Sequence, residues 1–488
     1  MFHYKKADLW LWVFFLVLLI GLFGGLHIMD LRGEEPRRGL ITWEMIHQSN
    51  FLRPSIQGMA YYNKPPIFNW VLAVFFAIFG DANWVVRIPS ILGLLGMGAF
   101  HYIFTKHYVD KQTALWSLLF LLSGGHILFF ATVLSGELDL FYALFVYLQA
   151  IFIFHFFQKK QWLALFLTSY LMLSLGFLTK GLPSIAFQGL TLLGIAFYYR
   201  QWRWLFSWQH ILGGLLGVLP IALYFWIYDQ YYGQGLAYVF NLLEEASQKS
   251  ASESRLTEIL SQLFEFPSQY LLDYLPWSLL LLFFFRKESR QQIKEHPFLV
   301  FCLLFFVANI WIYWISPGAR SRYLYPFAPF FITPLVYMWL KAGFPKVKIA
   351  IGVVLFLVFG RVVYNYTVMP YQQRTMSNIQ LYRQITEDAL EASEGQAIAT
   401  CCIKDSIFVN PSLGELTLLR DTLYLPMYLP YQIPFYIQRD RDQILPFHEQ
   451  LQPATYYLST DTLVGEALKS YPVWDDKTLY LFKTGVPE

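Results

Sequence analysis

The chain has 488 residues, 56% of them hydrophobic and only 14% charged, where an ordinary soluble domain carries about 25% charged residues; a string of soluble domains is excluded. A net charge of +3, from 36 Lys and Arg against 33 Asp and Glu, comes without the basic run that tracks a phosphate backbone, so nucleic acid is not an expected partner. Cys302, Cys401 and Cys402 can build neither a disulfide framework nor a spaced metal site.

In chain order, the apolar stretch 9–28 is long enough to span a bilayer core, and no small-residue cleavage pattern follows it, so a retained first helix is predicted. Further spans are predicted at 85–104, 113–131, 138–157, 162–178, 182–199, 211–228, 270–285, 298–315, 323–340 and 349–368. The fold class is a polytopic α-helical membrane protein with about eleven spans. The run 67–80, between Pro65-Pro66 and Gly80-Asp81, is too short to cross and is placed on the membrane surface. With that choice, alternate connections are all basic, as in Lys5-Lys6, Lys159-Lys160, Arg200 with Arg203, and Lys341 with Lys346. The positive-inside rule then makes the N-terminus cytoplasmic and puts residues 30–83, 230–269 and the tail outside. Residues 1–368 are read as a transmembrane catalytic domain and 369–488 as a small extracytoplasmic α/β domain. In that tail a helix is predicted over 376–392 and strands near 397–401, 422–426, 455–459 and 478–482.

The first outer loop breaks the charge rule, because it carries Arg32, Arg37, Arg38, Arg53 and Lys64. Guanidinium forks match phosphate oxygens, so these cations are expected to hold an anionic ligand; lipid-headgroup snorkelling is the competing explanation. Among them sits Glu34-Glu35, before Pro36-Arg37-Arg38. Adjacent carboxylates point in different directions, so one can face a substrate while an arginine holds the other, unless both merely cap a helix. Asp139, after Ser135-Gly136-Glu137, is placed at the outer end of the fourth span, with Glu137 as a solvated neighbour. Lys180 closes the fifth span, and Arg320 and Arg322 lie between the ninth and tenth. Together these cations outline a pocket for phosphate or pyrophosphate. Tyr61, Tyr62, Trp70 and Trp84 would stack on sugar rings there, although an interfacial aromatic belt explains them equally. Glu244 and Glu245 approach the site or solvate a surface helix. His27, His47, His101, His107, His126 and His155 are scattered and read as packing residues. No Walker loop, dinucleotide fingerprint, zinc motif or nucleophile elbow is present in the sequence.

The order Glu34-Glu35-Pro36-Arg37-Arg38, Tyr61-Tyr62-Asn63-Lys64-Pro65-Pro66, Leu138-Asp139, Leu178-Thr179-Lys180-Gly181, Leu275-Pro276-Trp277 and Arg320 to Pro329 resembles the bacterial GT-C glycosyltransferases. The likeness is closest to the aminoarabinose lipid A transferase and protein O-mannosyltransferase superfamily. It implies an integral membrane enzyme that takes a sugar from a polyprenyl-phosphate carrier at the outer face of the bacterial cytoplasmic membrane and transfers it, with inversion, to a lipid, glycan or protein acceptor. Such enzymes usually carry Asp-Glu in the first loop, so Glu34 takes the Asp place. A carboxylate implicated in metal binding precedes Lys-Pro in the aminoarabinose enzymes; Asn63 stands there, which leaves a divalent metal possible but unassigned. The tail segment Pro434-Phe435-Tyr436-Ile437 is similar to the extracytoplasmic domains of that group.

The chemistry suits these residues independently of the likeness. Displacing a lipid phosphate at an anomeric carbon needs cations on the leaving group, here Arg37, Arg38, Lys64, Lys180, Arg320 and Arg322. A hydroxyl acceptor also needs a base, with Glu34 first, Asp139 next and Glu35 beside them. A lipid-linked-glycan transporter would string its cations through the membrane midplane, and a nonenzymatic receptor would leave the paired acids without purpose.

Overall fold

The computed structural model describes residues 3–133, 135–248, 255–316, 319–342, 347–401, 429–448, 451–453, 455–459, 467–474 and 477–484. Most are helical. Among them, seven stretches are long and apolar enough to cross a membrane, namely Asn83–Tyr108, Asp139–Gln158, Trp162–Lys180, Trp208–Tyr232, Pro297–Trp314, Arg322–Lys341 and Val347–Thr375, with shorter apolar helices at Leu9–Phe23 and Ile67–Phe79. A helix of 19 residues such as Trp162–Lys180 covers about 29 Å at the usual rise, close to the hydrocarbon thickness.

Two of the spans expected from hydropathy are broken. The stretch 113–131 is a helix over Lys111–Leu122 followed by a separate wide turn at Ile127–Ala131. The interruption falls at Gly124 and Gly125, and the Gly125 N–H donates to the Leu275 carbonyl at 3.1 Å. A Cβ on Gly125 would lie 2.9 Å from that same oxygen, so only glycine allows this approach. The stretch 270–285 contains the end of the Arg255–Asp273 helix and then a 3-10 helix over Trp277–Phe285. Pro276 intervenes and has no N–H with which to continue the ladder.

The chain forms two compact units. The first comprises Met1–Leu26 and Ile88–Asn365. Its helices meet through small residues and buried amides, as expected where lipid removes the hydrophobic drive for helix association. Gly213 and Gly217 share one face of Trp208–Tyr232, where a Cβ would fall 2.7 Å from Phe166 Cβ and 2.3 Å from Tyr170 Cβ respectively. Ser174 Oγ in turn donates to the Gly217 carbonyl. Gln149 Nε2 donates to Gln188 Oε1 at 2.8 Å, and Gln188 Nε2 to Ser169 Oγ at 2.8 Å, tying together the three helices Asp139–Gln158, Trp162–Lys180 and Pro183–Tyr199.

The second unit comprises His27–Arg87 and Tyr366–Glu488, which groups the first loop with the tail. Its helices include Glu35–His47, Ile67–Phe79, Ser377–Ser393 and Gln432–Arg441. Strand Ile398–Cys401 runs parallel to Phe447–His448 and to Tyr456–Ser459, and Lys477–Lys483 lies antiparallel between Tyr456–Ser459 and Ala467–Trp474. The strand expected at 422–426 lies outside the described residues. Glu44 is the polar hub: its carboxylate accepts from Ser55 Oγ at 2.7 Å, from the Gly58 N–H at 3.0 Å, from Gln438 Nε2 at 3.0 Å and from the Gln57 N–H. Burial holds this carboxyl above its usual range, and the four donors offset only part of that rise. One side chain thereby fastens both the turn before Tyr61 and the tail helix to Glu35–His47.

Candidate active site

In the second unit the adjacent acids separate as their geometry requires. Glu35 begins the Glu35–His47 helix with Pro36 behind it. Its carboxylate is wholly buried against Arg87, whose Nε donates to Oε1 at 2.9 Å and Nη2 to Oε2 at 2.8 Å. Arg87 also donates to the Met29 carbonyl at 3.0 Å and the Asp30 carbonyl at 3.1 Å, while the Arg32 N–H donates to Glu35 Oε2 at 3.2 Å. Glu35 and Arg87 therefore clamp the loop 29–35. Glu34 makes no capping hydrogen bond at the helix start, and its side chain is 32% exposed. Arg37 Nη1 lies 2.7 Å from Glu34 Oε2, and Arg38 Nη2 stands at 3.9 Å.

Arg38 is buried and donates to Tyr61 Oη at 3.0 Å; Arg37 also lies 4.4 Å over the Tyr431 ring. Tyr61 and Tyr62 are buried rather than displayed as open stacking faces. Lys64 Nζ donates to the Asn63 carbonyl at 2.9 Å. Trp70 Nε1 donates to the Phe51 carbonyl, and Trp84 packs beside Phe79.

In the first unit a second constellation forms from three segments. Asp139 opens the Asp139–Gln158 helix, Lys180 closes Trp162–Lys180, and Arg322 lies in the 3-10 helix Ser321–Phe327. Lys180 Nζ donates to Asp139 Oδ1, Arg322 Nη1 to Glu137 Oε2, and Arg322 Nε sits 3.4 Å from Asp139 Oδ2. The Asp139 and Lys180 side chains are only 8% and 10% exposed. Tyr323 floors the cluster, its ring centroid 4.1 Å from Lys180 Nζ. Glu137, expected as a solvated neighbour, is instead buried and pairs with Arg322, and its backbone carbonyl accepts from Ser90 Oγ at 2.6 Å. Arg320 is exposed. Two cations face two carboxylates here, so an incoming phosphate would replace carboxylate oxygens on guanidinium and ammonium donors already in position.

The side chains of Glu244 and Glu245 lie outside the described residues. Among the described residues no group of three or more His, Cys, Asp or Glu gathers in a way that could hold a metal ion. Arg87 and Glu44 escaped sequence reasoning. For Arg87 a signal existed, since an ionisable residue inside Val85-Val86-Arg87-Ile88 is costly unless it has a partner. For Glu44 there was none.

The fold is that of a polytopic helical membrane protein, and comparison with known proteins supports the resemblance carried by the motifs. Residues 63–228 match the family described as dolichyl-phosphate-mannose-protein mannosyltransferase. The chain is 24% identical over 317 residues to the undecaprenyl phosphate-alpha-4-amino-4-deoxy-L-arabinose arabinosyl transferase 2 of Proteus mirabilis, covering 64% of this chain and 55% of that protein. It is 32% identical over 127 residues to the undecaprenyl phosphate-alpha-4-amino-4-deoxy-L-arabinose arabinosyl transferase of Pseudomonas savastanoi pv. phaseolicola, covering 26% and 23%. The chain thus spans about half the length of the first of these relatives. The crystal structure of ArnT from Cupriavidus metallidurans bound to undecaprenyl phosphate superimposes with a TM-score of 0.70 over 97% of this chain and 98% of that one, at 14% identity. A likeness at that identity establishes the fold.

Proposed function

We propose that this chain is a membrane glycosyltransferase that moves a sugar from a polyprenyl-phosphate-linked donor to a lipid, glycan or protein acceptor on the outer face of the cytoplasmic membrane. The observation that carries the reading is the buried Glu137, Asp139, Lys180 and Arg322 constellation, in which donors for a phosphate are held ready at a helix end. The names of the relatives agree with it, since theirs are transferases of an undecaprenyl-phosphate-linked aminopentose. In a single in-line displacement the anomeric carbon–oxygen bond breaks and its electrons pass to the lipid phosphate. Lys180, Arg320 and Arg322 stabilise that charge, with Arg37, Arg38 and Lys64 as further cations. The acceptor hydroxyl attacks from the opposite side and gives its proton to Glu34, which inverts the configuration. The expected topology has about eleven spans, residues 1–368 as the catalytic domain and 369–488 as the extracytoplasmic domain.

Two measurements test the reading. With purified protein in liposomes and an undecaprenyl-phosphate-linked sugar, Lys180→Ala and Arg320→Ala should each slow release of undecaprenyl phosphate by about 10- to 150-fold, the equivalent of about 1.5 to 3 kcal/mol for a lost charge-assisted hydrogen bond. Unchanged turnover in both variants, at normal expression, would reduce these cations to interfacial anchors. For orientation, a reporter fused after Glu488 should read as extracytoplasmic and one inserted near Lys160 as cytoplasmic. Finding both in one compartment would overturn the topology.

A further inference from the structure

The Trp162–Lys180 helix ends at the candidate site, and Pro183–Tyr199 runs back from it, covering about 26 Å at the usual rise, nearly the hydrocarbon thickness. The connection after Tyr199 therefore lies at the membrane interface opposite Lys180. There a cavity of 520 Å³ is lined by Arg200, Arg203, Trp162, Trp202 and Trp204, a size within the range of small-ligand sites.

The walls of this cavity are preformed. Trp204 is buried, stacks on Trp162 at 5.7 Å and 21° and on Phe166 at 5.6 Å and 22°, and donates from Nε1 to the Gln201 carbonyl at 2.6 Å. Arg200 has φ +54°, the left-handed conformation in which the residue after a helix is usually glycine. A basic loop that served only to orient the chain in the membrane would need no indole-lined cavity.

Two residues earlier, Phe197 and Tyr198 line a second, apolar groove of 470 Å³ that also takes in Leu304, Val307 and Lys294. Its walls include Pro183–Tyr199 and Pro297–Asn309, and Phe197, Tyr198 and Val307 are exposed. A cationic indole-lined cup beside an apolar groove, both at one interface, has the shape and charge of one amphiphile. We propose that the two bind a single anionic glycerophospholipid, its phosphate on Arg200 and Arg203 and an acyl chain along the groove. Paired guanidiniums match phosphate oxygens, indoles settle at headgroup depth, and anionic lipid is drawn to basic segments. The site lies a membrane thickness from Lys180 and plays no part in the transfer reaction.

Native mass spectrometry of the full chain, supplied with equimolar phosphatidylglycerol and phosphatidylcholine, tests the proposal. One phosphatidylglycerol should remain bound in preference to phosphatidylcholine. Arg200→Gln/Arg203→Gln should lower that occupancy by at least about tenfold, while Lys341→Gln, at a different helix end, leaves it unchanged. Val307→Trp, which fills the groove, should lower it as well. Arg200→Gly separates binding from folding: it relieves the left-handed strain, so thermal stability should hold or rise while lipid retention falls. Equal retention of the two lipids, undiminished retention in the double variant, or full displacement by inorganic phosphate would each overturn the proposal.

Discussion

Arg87→Met should destabilise the unit formed by residues 27–87 and 366–488 by about 3 to 5 kcal/mol, the usual cost of stranding one member of a buried ion pair. Its guanidinium donates to both Glu35 oxygens and to the carbonyls of Met29 and Asp30, with both side chains essentially inaccessible. Removal leaves the Glu35 carboxylate without its counter-ion in a site from which water is excluded. The double variant Arg87→Met/Glu35→Leu should recover most of the loss, because an apolar pair of similar volume carries no desolvation penalty. Thermal unfolding in detergent, followed for wild type, both single variants and the double variant, reads the whole cycle. A single variant as stable as wild type would mean that the pair does not hold the loop.

Glu34→Gln should leave folding intact and lower the transfer rate to a hydroxyl acceptor by about 10² to 10⁴, the range of a lost general base. Both oxygens of Asp139 face cations, Lys180 and Arg322, so they are already engaged as acceptors. Glu34 is the more exposed of the two carboxylates, with the Arg37 guanidinium 2.7 Å away. Glu34→Asp should keep partial activity, since the shorter arm remains basic but sits back by about an ångström, itself a costly misplacement. Normal turnover by Glu34→Gln together with an inactive Asp139→Asn would exchange the two roles, and full activity in both would point to a phosphate acceptor, which needs no strong base.

Hydropathy carried the helical class well, because a run such as 138–157 must hide its backbone from lipid and has few ways to do so. It failed where the backbone turns for local reasons. Gly124-Gly125 and Pro276 sit inside stretches whose average hydropathy is unaffected by one or two such residues, so 113–131 and 270–285 read as continuous. The paired acids were visible as a pair, but nothing in adjacency said which one was buried; that depended on Arg87, which lies 52 positions away in the chain. Glu137 was misjudged for the same reason, since its partner Arg322 comes from a distant segment. The residues of the candidate site were therefore legible singly and their pairings were not, because pairing is decided by tertiary contacts between segments far apart in sequence.

The glycine seam between Trp162–Lys180 and Trp208–Tyr232 fixes more than the distance between two helices. An α-helix rotates by about 100° and advances about 1.5 Å for each residue, so a slip of one position against Gly213 and Gly217 would swing every side chain beyond it to another bearing. Lys180 lies roughly 15 Å further along the axis than Tyr170 at the ordinary rise. Phe166 and Tyr170 fit against glycine and against nothing larger, and the seam therefore works like the key on a shaft, admitting one angular setting. The aim of the ammonium group toward Asp139 is decided by missing methyl groups about three to four turns away along the helix, far from any atom it touches.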